Sequence, residues 1–122
     1  MATHNQIGQK GEALAVEYLK RKGYQILHTN WRFEKYEIDI IARIGNDIVF
    51  VEVKTRSGSS HGFPEQAVTQ KKAETLFAGA EIYVEEHGLE NEIRFDIISI
   101  LLNQNPPDIY HIEDGISPFP LM

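Results

Sequence analysis

Asp39, Glu52 and Lys54 are the residues whose types and spacing could do chemistry together, because two apolar stretches joined by Gly45-Asn46 would bring them side by side. Gly-Asn between two such stretches is a two-residue hairpin signal. If the turn is just those two residues, Ile44 pairs with Asp47, and counting away from the turn sets Asp39 directly opposite Glu52. Cross-strand partners share a face and side chains alternate along each strand. One face then carries Ile38, Ile40, Ala42, Val49, Val51 and Val53, all apolar, and must be buried. The other carries Ile41, Ile48 and Phe50 near the turn, then Glu37, Asp39, Glu52 and Lys54. Opposed like charges destabilise a sheet by some tenths of a kcal/mol, and more when desolvated. A divalent cation between them removes that repulsion, and acids so placed serve metal-dependent phosphodiester hydrolysis. An exposed face on which Lys54 pairs with Glu52 or Glu37 is the alternative; the flanking Ile41 and Phe50 weigh against it.

A fourth acid comes from the first predicted helix. Gly8, Gly11, Glu12, Ala15 and Leu19 fall on one helical stripe, with Tyr18 at its edge. Two glycines inside a helix, each costing up to about 1 kcal/mol against alanine, imply close approach to another backbone. Glu12 in the middle of that stripe is out of place unless it faces a site. As a solvent-exposed first-turn glutamate it would fit the stripe poorly.

The elements that must position these residues read as a helix, three strands, a helix, then one or two strands. The helix spans about Asn5 to Lys22, ended by Gly23. Strands follow at about Gln25 to Phe33, Tyr36 to Ile44 and Asp47 to Thr55. After a Gly/Ser-rich loop holding Arg56 and His61, Pro64 is placed to begin a second helix that Gly88 ends. Glu92 to Leu102 is a further strand and Ile109 to Ile112 a weaker one. Residues 113–122 form a tail with two prolines and an apolar stretch, Ile116 to Leu121, that either docks on the domain or meets a partner.

A length of 122 residues, 42% of them hydrophobic, suits one domain over 1–122. The absence of cysteine rules out disulfides and thiolate metal sites, and abundant carboxylates favour Mg²⁺ or Mn²⁺. With no long apolar run and no signal-peptide pattern, the expected location is the cytoplasm, with no membrane contact. A net charge of −6 speaks against a nonspecific nucleic-acid coat protein, though an enzyme needs only a local basic patch. Arg56, Gln66, Lys71 and Lys72 are candidate phosphate contacts, a solvated helix face being the competing account for Lys71 and Lys72. Asp96 should point away from a core face of Ile93, Phe95 and Ile97 and be structural. Trp31 is a candidate for base stacking, although a lone strand tryptophan is more often core. The five histidines show no ligand spacing, and none is assigned to a metal.

The ordered set Gly8-x-x-Gly11-Glu12-x-x-Ala15-x-x-Tyr18-Leu19, Gly23-Tyr24-x-Ile26-Leu27-x-x-Asn30-x-Arg32, Glu37-Ile38-Asp39-Ile40-Ile41-Ala42 and Phe50-Val51-Glu52-Val53-Lys54-x-Arg56 resembles the PD-(D/E)XK nuclease superfamily. In detail it resembles the uncharacterised bacterial YraN family of endonuclease-like proteins. It continues more weakly through Val68-x-x-Lys71-Lys72 and Arg94-Phe95-Asp96, and departs from the family pattern at Tyr36, where glycine is usual. Archaeal Holliday junction resolvases look similar at the same places. The resemblance implies an α/β, restriction-endonuclease-like αβββαβ core, a mixed sheet flanked by helices. It also implies Mg²⁺ or Mn²⁺ bound by Asp39, Glu52 and the Val53 carbonyl, with Glu12 completing or orienting the site. Lys54 would orient water or stabilise charge on the phosphorane. The expected activity is endonucleolytic cleavage of DNA, linear or branched. A noncatalytic nucleic-acid-binding or protein-interaction module is the alternative, and a homodimer joined through the tail is a further expectation, since cutting two strands needs two sites.

Overall fold

The computed structural model describes residues 3–57, 69–103 and 105–116. The elements run α1 (His4–Arg21), β1 (Gln25–Phe33), β2 (Tyr36–Ile44), β3 (Asp47–Arg56), α2 (Gln70–Glu86), β4 (Ile93–Leu101) and β5 (Asp108–Ile112). The strands form one five-stranded sheet in chain order. All neighbours are antiparallel except β3 and β4, which α2 joins as a parallel pair. The expected α/β class and mixed sheet flanked by helices are therefore what the chain adopts.

Local chemistry sets the element ends. Thr3 caps α1 in a capping box with Gln6, and Gly23, at φ 93°, takes the left-handed turn after the helix. Thr69, in an extended conformation, caps α2 by accepting from the Lys72 N–H. That extended residue fixes the helix start at Gln70, later than the start expected at Pro64, which lies outside the described residues. Gly88, at φ 58°, ends α2 as anticipated.

The sheet separates two apolar layers. α1 covers one face with Ala15 and Leu19 against Ile40, Ala42, Val49, Val51, Ile98 and Ile100. α2 covers the other with Leu76, Ala80 and Tyr83 against Ile38, Ile41, Ile48, Phe50, Phe95 and Ile97. Strands covered on both sides read as near-continuous apolar runs, as Ile48 to Val51 does. Ile93, expected in the core, is 44% exposed because it starts β4 at the rim of the sheet. Ile116 is buried in the α2 layer, so the start of the tail docks on the domain. The rest of the proposed tail interface, 117–122, lies outside the described residues.

Gly11 is where α1 comes closest to the sheet. A Cβ added there would lie 2.7 Å from the Thr55 Cβ, whereas at Gly8 it would meet nothing within 4 Å. The close approach read from the glycine pair thus occurs at one glycine only, and against a threonine side chain. Gly8 sits in the exposed second turn, short of that contact. Gly11→Ala is expected to destabilise by about 1–3 kcal/mol through overpacking. Gly8→Ala should be neutral or stabilising by up to about 1 kcal/mol. Thermal melts of the two variants side by side check the contrast.

Asp96, fully buried on the α1 side, ties β4, β5 and the following turn together. Arg94 donates to it through Nε at 2.9 Å and Nη2 at 2.8 Å, His111 Nε2 at 2.7 Å and the Asp114 N–H at 2.9 Å. Tyr24 and Tyr18 extend the network to Arg94 and to His111 Nδ1. Asp96 is structural, as expected. Its carboxyl would be pushed up by burial, but the bonds from His111, Arg94 and Asp114 outweigh this and hold it below its ordinary value.

Candidate functional site

The β2–β3 hairpin has the register counted from its turn: Ile44 pairs with Asp47, Ala42 with Val49, and Ile40 with Val51. The ladder stops there, one pair short of Asp39 and Glu52. Beyond it Asp39 Oδ2 accepts the Val53 N–H at 2.9 Å, so a side chain replaces the missing backbone bond. Within a strand a residue's N–H and C=O point to the same side, and the Val53 carbonyl therefore faces the same opening.

Strict alternation fails at this point. Ile38 packs in the α2 layer with Ile41, and Ile40 in the α1 layer. Ile38 was expected on the same face as Ile40. On β1 the pairing passes from Thr29↔Ile40 to Trp31↔Ile38, leaving Asn30, at φ 51°, and Asp39 outside the ladder. This paired irregularity turns Asp39 and Asn30 toward α1, into a cleft of about 860 Å³ that Glu12, Glu37 and Lys54 also line. The α1 glutamate and the sheet aspartate meet only because of it, since regular alternation would put Asp39 on the face opposite α1.

Glu52 stays on the α2 side and is only 4% exposed. Burial, then the charge of Asp39, pushes its carboxyl up to about 8, while the cations of Lys72 and Lys54 draw it down. Lys72 Nζ stands 3.7 Å from Glu52 Oε1. Glu12 is also raised, by burial and by Asp39, against the bond that Asn30 Nδ2 donates to its Oε1 at 2.7 Å. Asp39 thus acts on two acids reached from opposite faces of the sheet. A carboxyl held this far from its ordinary range marks a group whose surroundings are arranged for something other than stability.

The expected residues are distributed as follows. Asp39, Glu52 and Lys54 come together, and Glu12 reaches them across the cleft. Arg56 lines the cleft. Lys72, a candidate phosphate contact, is placed 3.7 Å from Glu52 in the first turn of α2 with its side chain partly open, and Lys71 beside it is exposed. Gln66 and His61 lie outside the described residues. Trp31 is half-buried with its ring edge-on to Tyr83 at 5.7 Å, which makes it a packing residue. The role of Asn30 in fixing Glu12 was missed; its spacing two residues before Arg32, also in the cleft, was the available signal.

Among the described residues no three His, Asp or Glu side chains converge at metal-binding distance. Two carboxylates and a carbonyl suit a hard ion that keeps most of its waters, as Mg²⁺ does, and burial together with the charge of Asp39 raises Glu52 further than Lys72 and Lys54 lower it. The donors present therefore fit such an ion.

The family model described as uncharacterised protein family UPF0102 matches residues 11–100. The chain is 49% identical to a UPF0102 protein of Christiangramia forsetii over 115 residues, 94% of this chain and 97% of that one. It is 47% identical to one from Flavobacterium psychrophilum over 98% of this chain and all of the other. It is 46% identical to one from Caldicellulosiruptor saccharolyticus over 80% and 84%.

Proposed function

We propose, from the premise that the chain belongs to the uncharacterised protein family UPF0102, that it is a metal-dependent endonuclease of the PD-(D/E)XK type acting on DNA. The observation that carries this reading is the buried Glu52 beside Asp39, held near pKa 8 at the end of a sheet ladder that opens into a cleft. A structural acid would not be kept ionisable at such cost with another carboxylate as its neighbour.

Asp39, Glu52 and the Val53 carbonyl would hold Mg²⁺ or Mn²⁺, which when bound supplies Lewis acidity to a phosphodiester and makes water a better nucleophile. Asp39 is fixed by the Val53 N–H, which its Oδ2 accepts at 2.9 Å. Lys54 lines the cleft, where its ammonium can hold the attacking water or offset the charge that develops on phosphorus. Lys72 keeps Glu52 from accumulating unbalanced charge at the α2 side. Glu12, anchored by Asn30, borders the same cleft and orients its acidic wall. Arg56 and Arg32, also in the cleft, supply cations for the flanking phosphates. Such a patch is local, so the acidic net charge does not oppose the reading.

The test is cleavage of labelled linear duplex, single-stranded and four-way-junction DNA with Mg²⁺ or Mn²⁺, wild type against Glu52→Ala. Cleavage by the wild type that vanishes in the variant supports the assignment. Absence of cleavage on every substrate, with DNA binding intact and independent of metal, would instead favour a binding module.

A further inference from the structure

The β1–β2 hairpin ends beside the cleft, and its two faces differ. Arg32, whose side chain is 70% exposed, faces the cleft and lies 3.4 Å from Glu37. Trp31 and Phe33 alternate to the other face, where their rings lie nearly parallel, 12° apart with centroids at 6.5 Å. Trp31 is pinned from beneath. Tyr83 meets its edge, and α2 runs close beneath it at Gly79, where a Cβ would lie in van der Waals contact, 3.5 Å from Trp31 Cζ3. Phe33 is fixed on that anchor yet 37% exposed, one of three large apolar residues open to this degree among those described. The turn Glu34-Lys35 follows, and Lys35 Nζ stands 5.5 Å over the Tyr36 ring. Glu34 stands at the tip and Glu37 beside Arg32, and the two cations Arg32 and Lys35 flank the aromatic pair.

A rigid, parallel aromatic stack with one free end takes another flat ring, and cations on both sides select a ring carried on a polyanion. Asn30 is level with Asp39, and Phe33 lies three residues further along β1, about 10 Å at strand rise. That is about three stacked-base steps along one strand of DNA. Because β1 is an edge strand, a backbone lying over Asp39 and Arg32 can pass round that edge and bring a nearby base to Phe33 on the other face. A base inside intact duplex keeps its own stacking partners and has no free face to offer.

We propose that Phe33, seated on Trp31, is a stacking platform for an unpaired nucleobase, so that the protein favours DNA with an unpaired nucleotide next to the phosphate in the cleft. The proposal rests on the nucleic-acid reading of the site and adds the class of substrate. Arg32 and Lys35 hold the phosphates on either side of the hairpin. Phe33 closes over the exposed base and the hairpin divides it from its former partner.

The test is binding without metal, so that it does not depend on cleavage. A fully paired duplex is compared with the same duplex carrying a short gap, with 2-aminopurine placed in the gap as a stacking reporter. The wild type should bind gapped DNA more tightly and quench the reporter. Phe33→Ala should weaken binding to gapped DNA by about 5-fold to 100-fold, leave duplex binding nearly unchanged and remove the quench. Phe33→Trp should restore both, while Phe33→Leu, which keeps apolar bulk without a π-face, should not. Equal affinity of the wild type for both DNAs, or full rescue by leucine, overturns the platform while leaving the cleft assignment intact. Failure to bind any DNA overturns both.

Discussion

Glu52→Gln is expected to lose at least about 10²-fold in Mg²⁺-dependent cleavage and, without metal, to be more stable than the wild type at pH 8. The first effect follows from removing one of the two carboxylates that would hold the ion on which the proposed cleavage depends, where loss of a single electrostatic contact is commonly worth about 10² to 10³ in rate. The second follows from linkage. In the unfolded chain the Glu52 carboxyl titrates near 4.5, in the folded protein near about 8. Between those values the folded state keeps a proton that the unfolded state has released, so stability falls as pH rises, by up to about 1.4 kcal/mol per pH unit. Above about pH 8 the full penalty remains. Glutamine cannot ionise, so the variant should match the wild type near pH 4 and exceed it by about 2–4 kcal/mol at pH 8, of order 10 °C in melting temperature. Mg²⁺ should raise the wild-type melting temperature and leave that of the variant nearly unchanged. A wild type whose stability is flat from pH 5 to pH 8 would contradict the assignment of Glu52 as a strained acid, whatever its cleavage activity.

Asp96→Asn should cost about 3–5 kcal/mol, the usual consequence of leaving one partner of a buried ion pair uncompensated. Arg94, only 19% exposed at its side chain, would lose the carboxylate that both its donors address. The amide keeps one oxygen, so either the His111 Nε2–H or the Asp114 N–H would face an NH₂ donor in place of its acceptor. The sign with pH is opposite to that of Glu52. The Asp96 carboxyl sits below its ordinary 3.8 when folded, so its contribution is present above that value and lost as pH falls through the lower, folded one. Denaturant midpoints for Asp96→Asn and Glu113→Ala separate core from rim. The Glu113 side chain, 56% exposed and 3.3 Å from the same arginine, should matter by under about 1 kcal/mol. Comparable losses for the two would show that the network is not the clamp described.

The register of the β2–β3 hairpin as far as Ile40 and Val51, and the apolar layers of β3, were legible because a two-residue turn fixes register and register fixes faces. The helical stripe of α1 was legible through Gly11, Ala15 and Leu19 for a similar reason, a period matched to one contact. What escaped were features set by partners remote in sequence. The departure from alternation at Asp39 depends on a matching irregularity at Asn30, and no local pattern announces it. Lys72 reaches Glu52 from the first turn of a helix whose start Thr69 sets. His111 and Asp96 lie fifteen residues apart on different strands, with a spacing that carries no periodic signal. Period and turn chemistry report what an element does alone, whereas these three depend on how elements are docked.

Because Asp39 and Glu52 are indexed by counting from Gly45-Asn46, the site is sensitive to chain length there in a way it is not to side-chain identity. A one-residue insertion in that turn would slide β2 against β3 and take Asp39 away from the Val53 N–H that fixes it beside Glu52, although every residue of the site is still present. The same insertion in the Asn103–Pro107 connection would leave that register untouched. Gene drift in this protein should therefore show substitutions within the 45–46 turn but almost never a change in its length, while the connection before β5 should vary freely in both.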